Sequence, residues 1–229
     1  KSMRNAASIA ILCPNQFFHK GKSIFSNNLA NSWKFTTDSF PFKVLLMQRN
    51  NKSSFQNAHV IPGGVVDSSD LSLEHWGRKR GMKIEINGTE EPTEMEEDSL
   101  SAPDEQQYSD WLYRVCAIRE LFEESGLSLT EPKLEKEWRS RIHKDASLLK
   151  EALKASNSHL QFDRLEPFQR WITPVVHEKR YDTRFFTTVL QSRDELEEIS
   201  HDGLELLDHV WVSPREAVLN ARILNLAPP

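Results

Sequence analysis

Glu120, Glu123 and Glu124 stand at offsets i, i+3 and i+4 in the stretch "RELFEESGL", a spacing that gathers three carboxylates on one face of a helix. Like charges so placed repel. Each pair costs about 0.2–0.5 kcal/mol on an exposed helix, and nearer about 4 kcal/mol if pressed to about 4 Å in partly desolvated surroundings. A cation relieves that cost. Carboxylate oxygens at one-turn spacing on a rigid helix suit a hard ion such as Mg2+, which takes octahedral oxygen ligands and keeps water for a phosphate substrate. On spacing alone the pattern also fits a solvated helix face. Arg119 is placed to pair with a neighbouring carboxylate and fix its rotamer, while the Gly63-Gly64 turn, lacking side chains, can lie against helix or metal.

These groups need elements to hold them. A helix is expected from about residue 104 to 125, with Trp111, Val115, Ile118 and Phe122 on an apolar stripe, the glutamates off it, and Gly126 as the C-terminal stop. Short apolar runs predict strands at 7–13 and 42–49, and a third at 58–64 enters a turn where Pro62 blocks ladder pairing. A second amphipathic helical region covers 133–155, and "WITPVV", "TRFFTTVL" and "HVWVSP" read as further strands. Ser213 as N-cap, Pro214 at N1 and Glu216 completing a capping box open a last helix. Strands interleaved with helices make the chain α/β, one elaborated domain over 7–229. Within it, "WGRKRGMK" is basic and "EEPTEMEEDSLSAPDEQQ" acidic. Between Ile86 and Asp110 there are nine acids and no Lys or Arg, so 71–103 is expected to be a solvated insert loop.

Composition narrows the function. The 229 residues carry a formal net charge of −5, which gives no basic footprint for nucleic acid or an anionic membrane; a nucleotide would be held locally. No apolar run reaches the length of a membrane span, and the chain reads as soluble. Cys13 and Cys116 are too few for a disulfide framework and suit a reducing, intracellular compartment, with Cys116 a small core residue. His59, His177, His201 and His209 form no ligand spacing, and GxSxG, P-loop and GxGxxG motifs do not occur. The sequence assigns no oligomeric state.

"GGVVDSSD" followed by "RELFEESGL" resembles the Nudix box, G-x5-E-x7-R-E-U-x-E-E-x-G-U with U apolar. Arg119, Glu120, Leu121, Glu123, Glu124, Gly126 and Leu127 fill every specified place of its second half; in the first, Gly64 matches and Asp70 stands where the pattern has Glu. Gly64 and Arg119 have 54 residues between them against 13 in the pattern, an excess of 41. The excess is expected to loop out while the two halves meet. An interrupted box is similar to that of the peroxisomal coenzyme A diphosphatase type of Nudix hydrolase, the nucleoside diphosphate-linked moiety X motif 19 group. Further matches are "LLMQR", "AHVIPGG", "CAIRELFEESG", "EWRSRI", "WITP", "RYDTRFF" and "WVSPREA". Leu45, Leu46 and Arg49 fit the coenzyme A signature, whereas its second arginine and its glycine are replaced by polar residues and Ala58. The ending "LAPP" falls where relatives continue, so a shortened C-terminus is expected.

The resemblance implies a Nudix fold, a mixed β-sheet sandwiched between helices with an acidic loop insert. It implies that Glu120, Glu123 and Glu124 bind Mg2+ or Mn2+, with Glu205 a further ligand or base, or else an ordinary surface glutamate. Catalytic candidates are Glu124, Glu205 and Arg119, either glutamate serving as general base. Gly63, Gly64, Arg49 and Arg180 are the substrate-binding candidates, the arginines because guanidinium forks match phosphate oxygens; structural ion pairing is their other reading. The implied reaction is hydrolysis of coenzyme A or an acyl-CoA to 3',5'-ADP and the corresponding phosphopantetheine. A different nucleoside diphosphate derivative and a catalytically silent binding module are the alternatives. The partner is a small nucleotide, with no nucleic acid and no membrane, and the location is peroxisomal by resemblance, otherwise cytoplasmic or mitochondrial. Arg78, Lys79, Arg80 and Lys83 read as a solvated run, or as a grip on the 3'-phosphate of coenzyme A.

Overall fold

Along "MRNAASIAILCP" the small and branched apolar residues are buried almost without a break, as expected of a strand covered on both faces. This is β1 (Met3–Pro14), the middle of a mixed sheet. The computed structural model describes residues 3–18, 40–51, 57–79, 85–86, 89–90, 110–201, 203 and 206–226. After β1 come β2 (Phe42–Arg49), β3 (His59–Val60), β4 (Gly63–Val65), α1 (Ser68–Lys79), β5 (Glu85–Ile86), β6 (Thr89–Glu90) and α2 (Asp110–Ser125). Then follow β7 (Thr130–Glu131), α3 (Glu137–Lys144), α4 (Leu148–Ala155), β8 (His159–Leu160), β9 (Glu166–Ile172), β10 (Arg180–Val189), α5 (Arg193–Glu198), β11 (Leu206–Val212) and α6 (Pro214–Leu219).

The main sheet runs β11-β2-β1-β10-β9, with β3 on β2 and β4 on β1. β1 and β10 are parallel, and the other pairings are antiparallel. β1 changes partner along its length: Leu12 lies opposite Val44 of β2, but nearer its start Ala7 lies opposite Gly64 of β4. That change brings the paired glycines into the sheet beneath α2. Mixed α/β architecture is thus as expected.

The apolar stripe of α2 is buried where the sequence put it, at Trp111, Val115, Ile118 and Phe122. Burial goes further than the stripe. Arg114, Arg119, Glu123 and Glu124 are covered as well, because α2 lies on β1 and β4 with α1 and α3 against it and its charged side is closed by its own ion pairs. α1 extends into the stretch expected to loop; Ser69 N–H donates to Asp67 Oδ1 at 2.8 Å at its start, and Leu73 enters the core. Arg78 and Lys79 end that helix, whereas Arg80, Lys83 and the acidic run 91–109 lie outside the described residues. The helical region expected at 133–155 contains α3 and α4, separated at Asp145. Asp145 Oδ1 accepts from the N–H and hydroxyl of Ser147 at 3.0 and 2.6 Å, a local side-chain turn that competes with helix continuation.

The capping box of α6 is as expected: Glu216 N–H donates to Ser213 Oγ at 3.2 Å and Ser213 N–H to Glu216 Oε2 at 2.9 Å. Lys43 Nζ adds a 3.3 Å pair to that carboxylate, tying α6 to β2. Cys13 and Cys116 are free and buried. Among the described residues no helix is long and apolar enough to cross a membrane.

Candidate active site

α2 crosses β4 at the two glycines. A Cβ on Gly64 would stand 2.3 Å from Glu120 Oε1, so the carboxylate fills the space that any other side chain would need. Gly63 contributes its backbone, its N–H donating to Glu124 Oε2 at 2.8 Å. Gly64→Ala is therefore expected to cost about 1–3 kcal/mol, the usual range for overpacking, and to push Glu120 off its partner. Urea denaturation beside the parent checks this, and an unchanged midpoint would mean that Glu120 swings aside freely.

Arg119 joins the two halves of the box. Its guanidinium forks Asp70, Nε to Oδ1 at 2.8 Å and Nη2 to Oδ2 at 3.0 Å. Nη1 donates to Glu120 Oε1 at 2.8 Å and Glu123 Oε1 at 2.9 Å, and Nη2 also reaches Val65 O at 3.2 Å. The side chains of Arg119 and Asp70 are only 4% and 2% exposed. Burial alone disfavours the charged guanidinium, but hydrogen bonding to Asp70 and the charges of Glu120 and Asp70 outweigh it and raise its pKa. The expected pairing with a neighbouring carboxylate is met by three at once. Enclosed in this way, Arg119 holds Asp70, Glu120 and Glu123 together.

The carboxylates exceed what Arg119 offsets. Burial pushes the Glu120 carboxyl up to about 7, Arg119 opposing the rise and Glu123 adding to it. His143 Nδ1 lies 3.5 Å from Glu123 Oε2. Among the described residues no group of three or more Asp, Glu, His or Cys side chains is arranged as a metal cluster: Arg119 draws Glu120 and Glu123 to itself while Glu124 turns to Gly63. The donor set nevertheless fits a hard divalent cation. It consists of carboxylate oxygens from adjacent turns of one helix, and it holds more negative charge than the neighbouring guanidinium neutralises.

The other candidates are dispersed. Arg49 closes β2, its N–H donating to Ala58 O at 2.9 Å. Arg180 opens β10 opposite Met3, its Nε donating to Thr173 O at 3.1 Å. β1 stands between their strands. Glu205 lies outside the described residues. Two neighbours of the glutamates escaped sequence reasoning, His143 and Arg139, both on α3. Arg139 Nε and Nη2 donate to the carbonyls of Glu123 and Glu124 at 2.9 and 2.7 Å. The stretch "EWRSRI" contained Arg139, but no spacing rule connects it to residues sixteen and fifteen positions upstream.

The sheet, the glycine turn and the carboxylate helix together define a Nudix-type domain. The chain matches the family model described as NUDT19 Nudix domain over residues 4–229 and belongs to that family. It is similar to a protein named acyl-coenzyme A diphosphatase NUDT19 from Gallus gallus, 29% identical over 225 residues, covering 82% of this chain and 59% of the relative. The Homo sapiens protein of that name is 27% identical over 207 residues, with 77% and 54% covered. The chain thus spans little more than half the length of these curated relatives. A crystal structure of a Nudix hydrolase from Alicyclobacillus acidocaldarius shares the fold with TM-score 0.67 at 22% identity, over 99% of this chain and 86% of the other.

Proposed function

We propose that this chain hydrolyses the diphosphate of coenzyme A or an acyl-CoA in the presence of a divalent cation, giving 3',5'-ADP and (acyl-)phosphopantetheine. The observation that carries the reading is the reassembled box, in which Asp70 and Arg119, 49 positions apart, form a forked buried pair that orients Glu120 and Glu123. Family membership and the names of the relatives support the substrate class.

Glu120, Glu123 and Glu124 would hold Mg2+ or Mn2+, with Glu205 a further candidate. When bound, the ion supplies positive charge for the diphosphate oxygens and lowers the pKa of water. The protein's own part is orientation and proton transfer. Arg119 fixes Glu120 and Glu123 from the buried side, and the Gly63 N–H sets the orientation of Glu124. Glu124 is then the candidate to accept the proton of the attacking water as the new P–O bond forms and the anhydride P–O bond breaks; Glu205 is the alternative base. Arg49 and Arg180 are candidates for phosphate contacts.

The test is a panel of coenzyme A, an acyl-CoA, dephospho-coenzyme A, a nucleotide sugar and a dinucleotide, each with Mg2+ or Mn2+, scored by product identity. Release of 3',5'-ADP from the first two is the expected result. Turnover of only the nucleotide sugar or dinucleotide would move the chain to another Nudix substrate, and binding without turnover would make it a silent module. A peroxisomal location belongs to the same reading and is checked by co-localisation with a peroxisomal marker.

A further inference from the structure

The last turn of α2 leaves four carbonyls without helical partners, those of Phe122, Glu123, Glu124 and Ser125. All four are met, from three sources. Gly126 N–H donates to Phe122 O at 3.0 Å and Ser200 N–H to Ser125 O at 2.9 Å. The two between them, which belong to the glutamates of the box, are both taken by Arg139 of α3, Nε to Glu123 O at 2.9 Å and Nη2 to Glu124 O at 2.7 Å. The same guanidinium holds Ser200, Nη1 to Oγ and Nη2 to O, each at 2.9 Å. One cation thus ties the glutamate-bearing end of α2 to the segment after α5.

Two further observations give this clamp a direction. The C-terminus of a helix carries partial negative charge, so three glutamates in its last turns are electrostatically misplaced and a cation there offsets them. Gly126 is shaped to the clamp as well. It has φ +76°, the left-handed turn that ends α2, and a Cβ there would stand 3.1 Å from Arg139 Nη1. Glycine thus suits the turn and leaves Arg139 close beside it.

We infer that Arg139 is a positioning residue for the glutamate face: by gripping the Glu123 and Glu124 carbonyls and Ser200 together, it fixes where those carboxylates stand for a divalent cation. Outer partners that orient ligating carboxylates commonly account for about 10–100-fold in metal affinity. The inference rests on reading this face as a cation site.

The experiment is Mn2+ binding to the metal-free protein by electron paramagnetic resonance, for the parent, Arg139→Met and Arg139→Lys, with melting temperatures and with KM for coenzyme A at saturating metal. Arg139→Met is expected to weaken Mn2+ binding about 10–100-fold while KM for coenzyme A stays near the parent value. Arg139→Lys should recover part of the loss, since an ammonium keeps the charge but not the planar fork. Parent-like Mn2+ affinity in Arg139→Met overturns the inference, as does an equal loss in Mn2+ affinity and KM. If Arg139→Met does not fold, parent-like affinity in Arg139→Lys overturns it, because the fork is gone in that variant too. A parent protein that binds no Mn2+ would fail differently, removing the cation reading and this inference with it.

Discussion

Glu124→Gln is expected to fold like the parent and lose turnover by about 10²–10⁴-fold, the range associated with a positioned proton-transfer group. The fold should survive because glutamine has the same length and keeps a carbonyl oxygen that can accept from the Gly63 N–H, now donating to Oε2 at 2.8 Å. Turnover should not, because an amide carries no charge, is a poorer cation ligand and takes no proton. Thermal melts read the first half of this expectation, and turnover of coenzyme A at saturating Mg2+ reads the second. Glu120→Gln is the informative companion. Glu120 pairs with Arg119 at 2.8 Å, so its loss shifts the charge balance around the guanidinium, whereas Glu124 accepts from the Gly63 N–H of the turn. Turnover near the parent value in Glu124→Gln would remove that residue from the proposed mechanism.

Local pattern carried much of the fold into view. β2 runs from Phe42 to Arg49 as its apolar run indicated, and the Ser213-Pro214-Glu216 signature capped α6 as written, because both depend on residues within a few positions of one another. The expected stripe on α2 was buried for the same reason. What escaped was non-local. No periodicity could say that Asp70 would meet Arg119, although the box pattern did mark position 70 as a carboxylate site. Nor could it reveal Arg139, whose value lies in two carbonyl oxygens that every residue possesses. α1 was hidden by composition: most of its residues are polar or charged, and Leu73 is the buried apolar residue described on it. The break between α3 and α4 was set by an aspartate competing for backbone and hydroxyl donors, which outweighs a continuing amphipathic pattern.

The box is thus a packing device as well as a candidate ligand set. Gly64 makes room for Glu120, and Gly126 supplies the left-handed turn beside Arg139. Arg119 is spent on neighbours within the protein, and its partner Asp70 lies on the far side of the sequence insertion. The insertion is tolerated because lengthening a loop adds only slowly to the cost of closing it, while the buried pair fixes the two ends.

Asp70→Asn keeps the shape of the side chain but turns an amide N–H2 toward a guanidinium that only donates. Breaking a buried ion pair by removing one partner costs about 3–5 kcal/mol. Arg119 would keep Glu120 and Glu123, so the expected loss is about 3 kcal/mol, the lower end. In a chain of this size that corresponds to a melting temperature lower by about 6–12 °C. A midpoint within error of the parent would show that the pair does not hold α1 to α2. Stability and activity can then be separated with Asp70→Leu combined with Arg119→Met. Replacing both members of a buried pair with apolar groups is often neutral or stabilising, but losing Arg119 also leaves Glu120 and Glu123 without their shared cation, so this double variant should recover only part of the lost stability. Activity should stay low, because Glu120 and Glu123 no longer share a fixed donor behind them. Recovery of activity along with stability would mean that the pair serves packing alone, and that the carboxylates find their positions without Arg119.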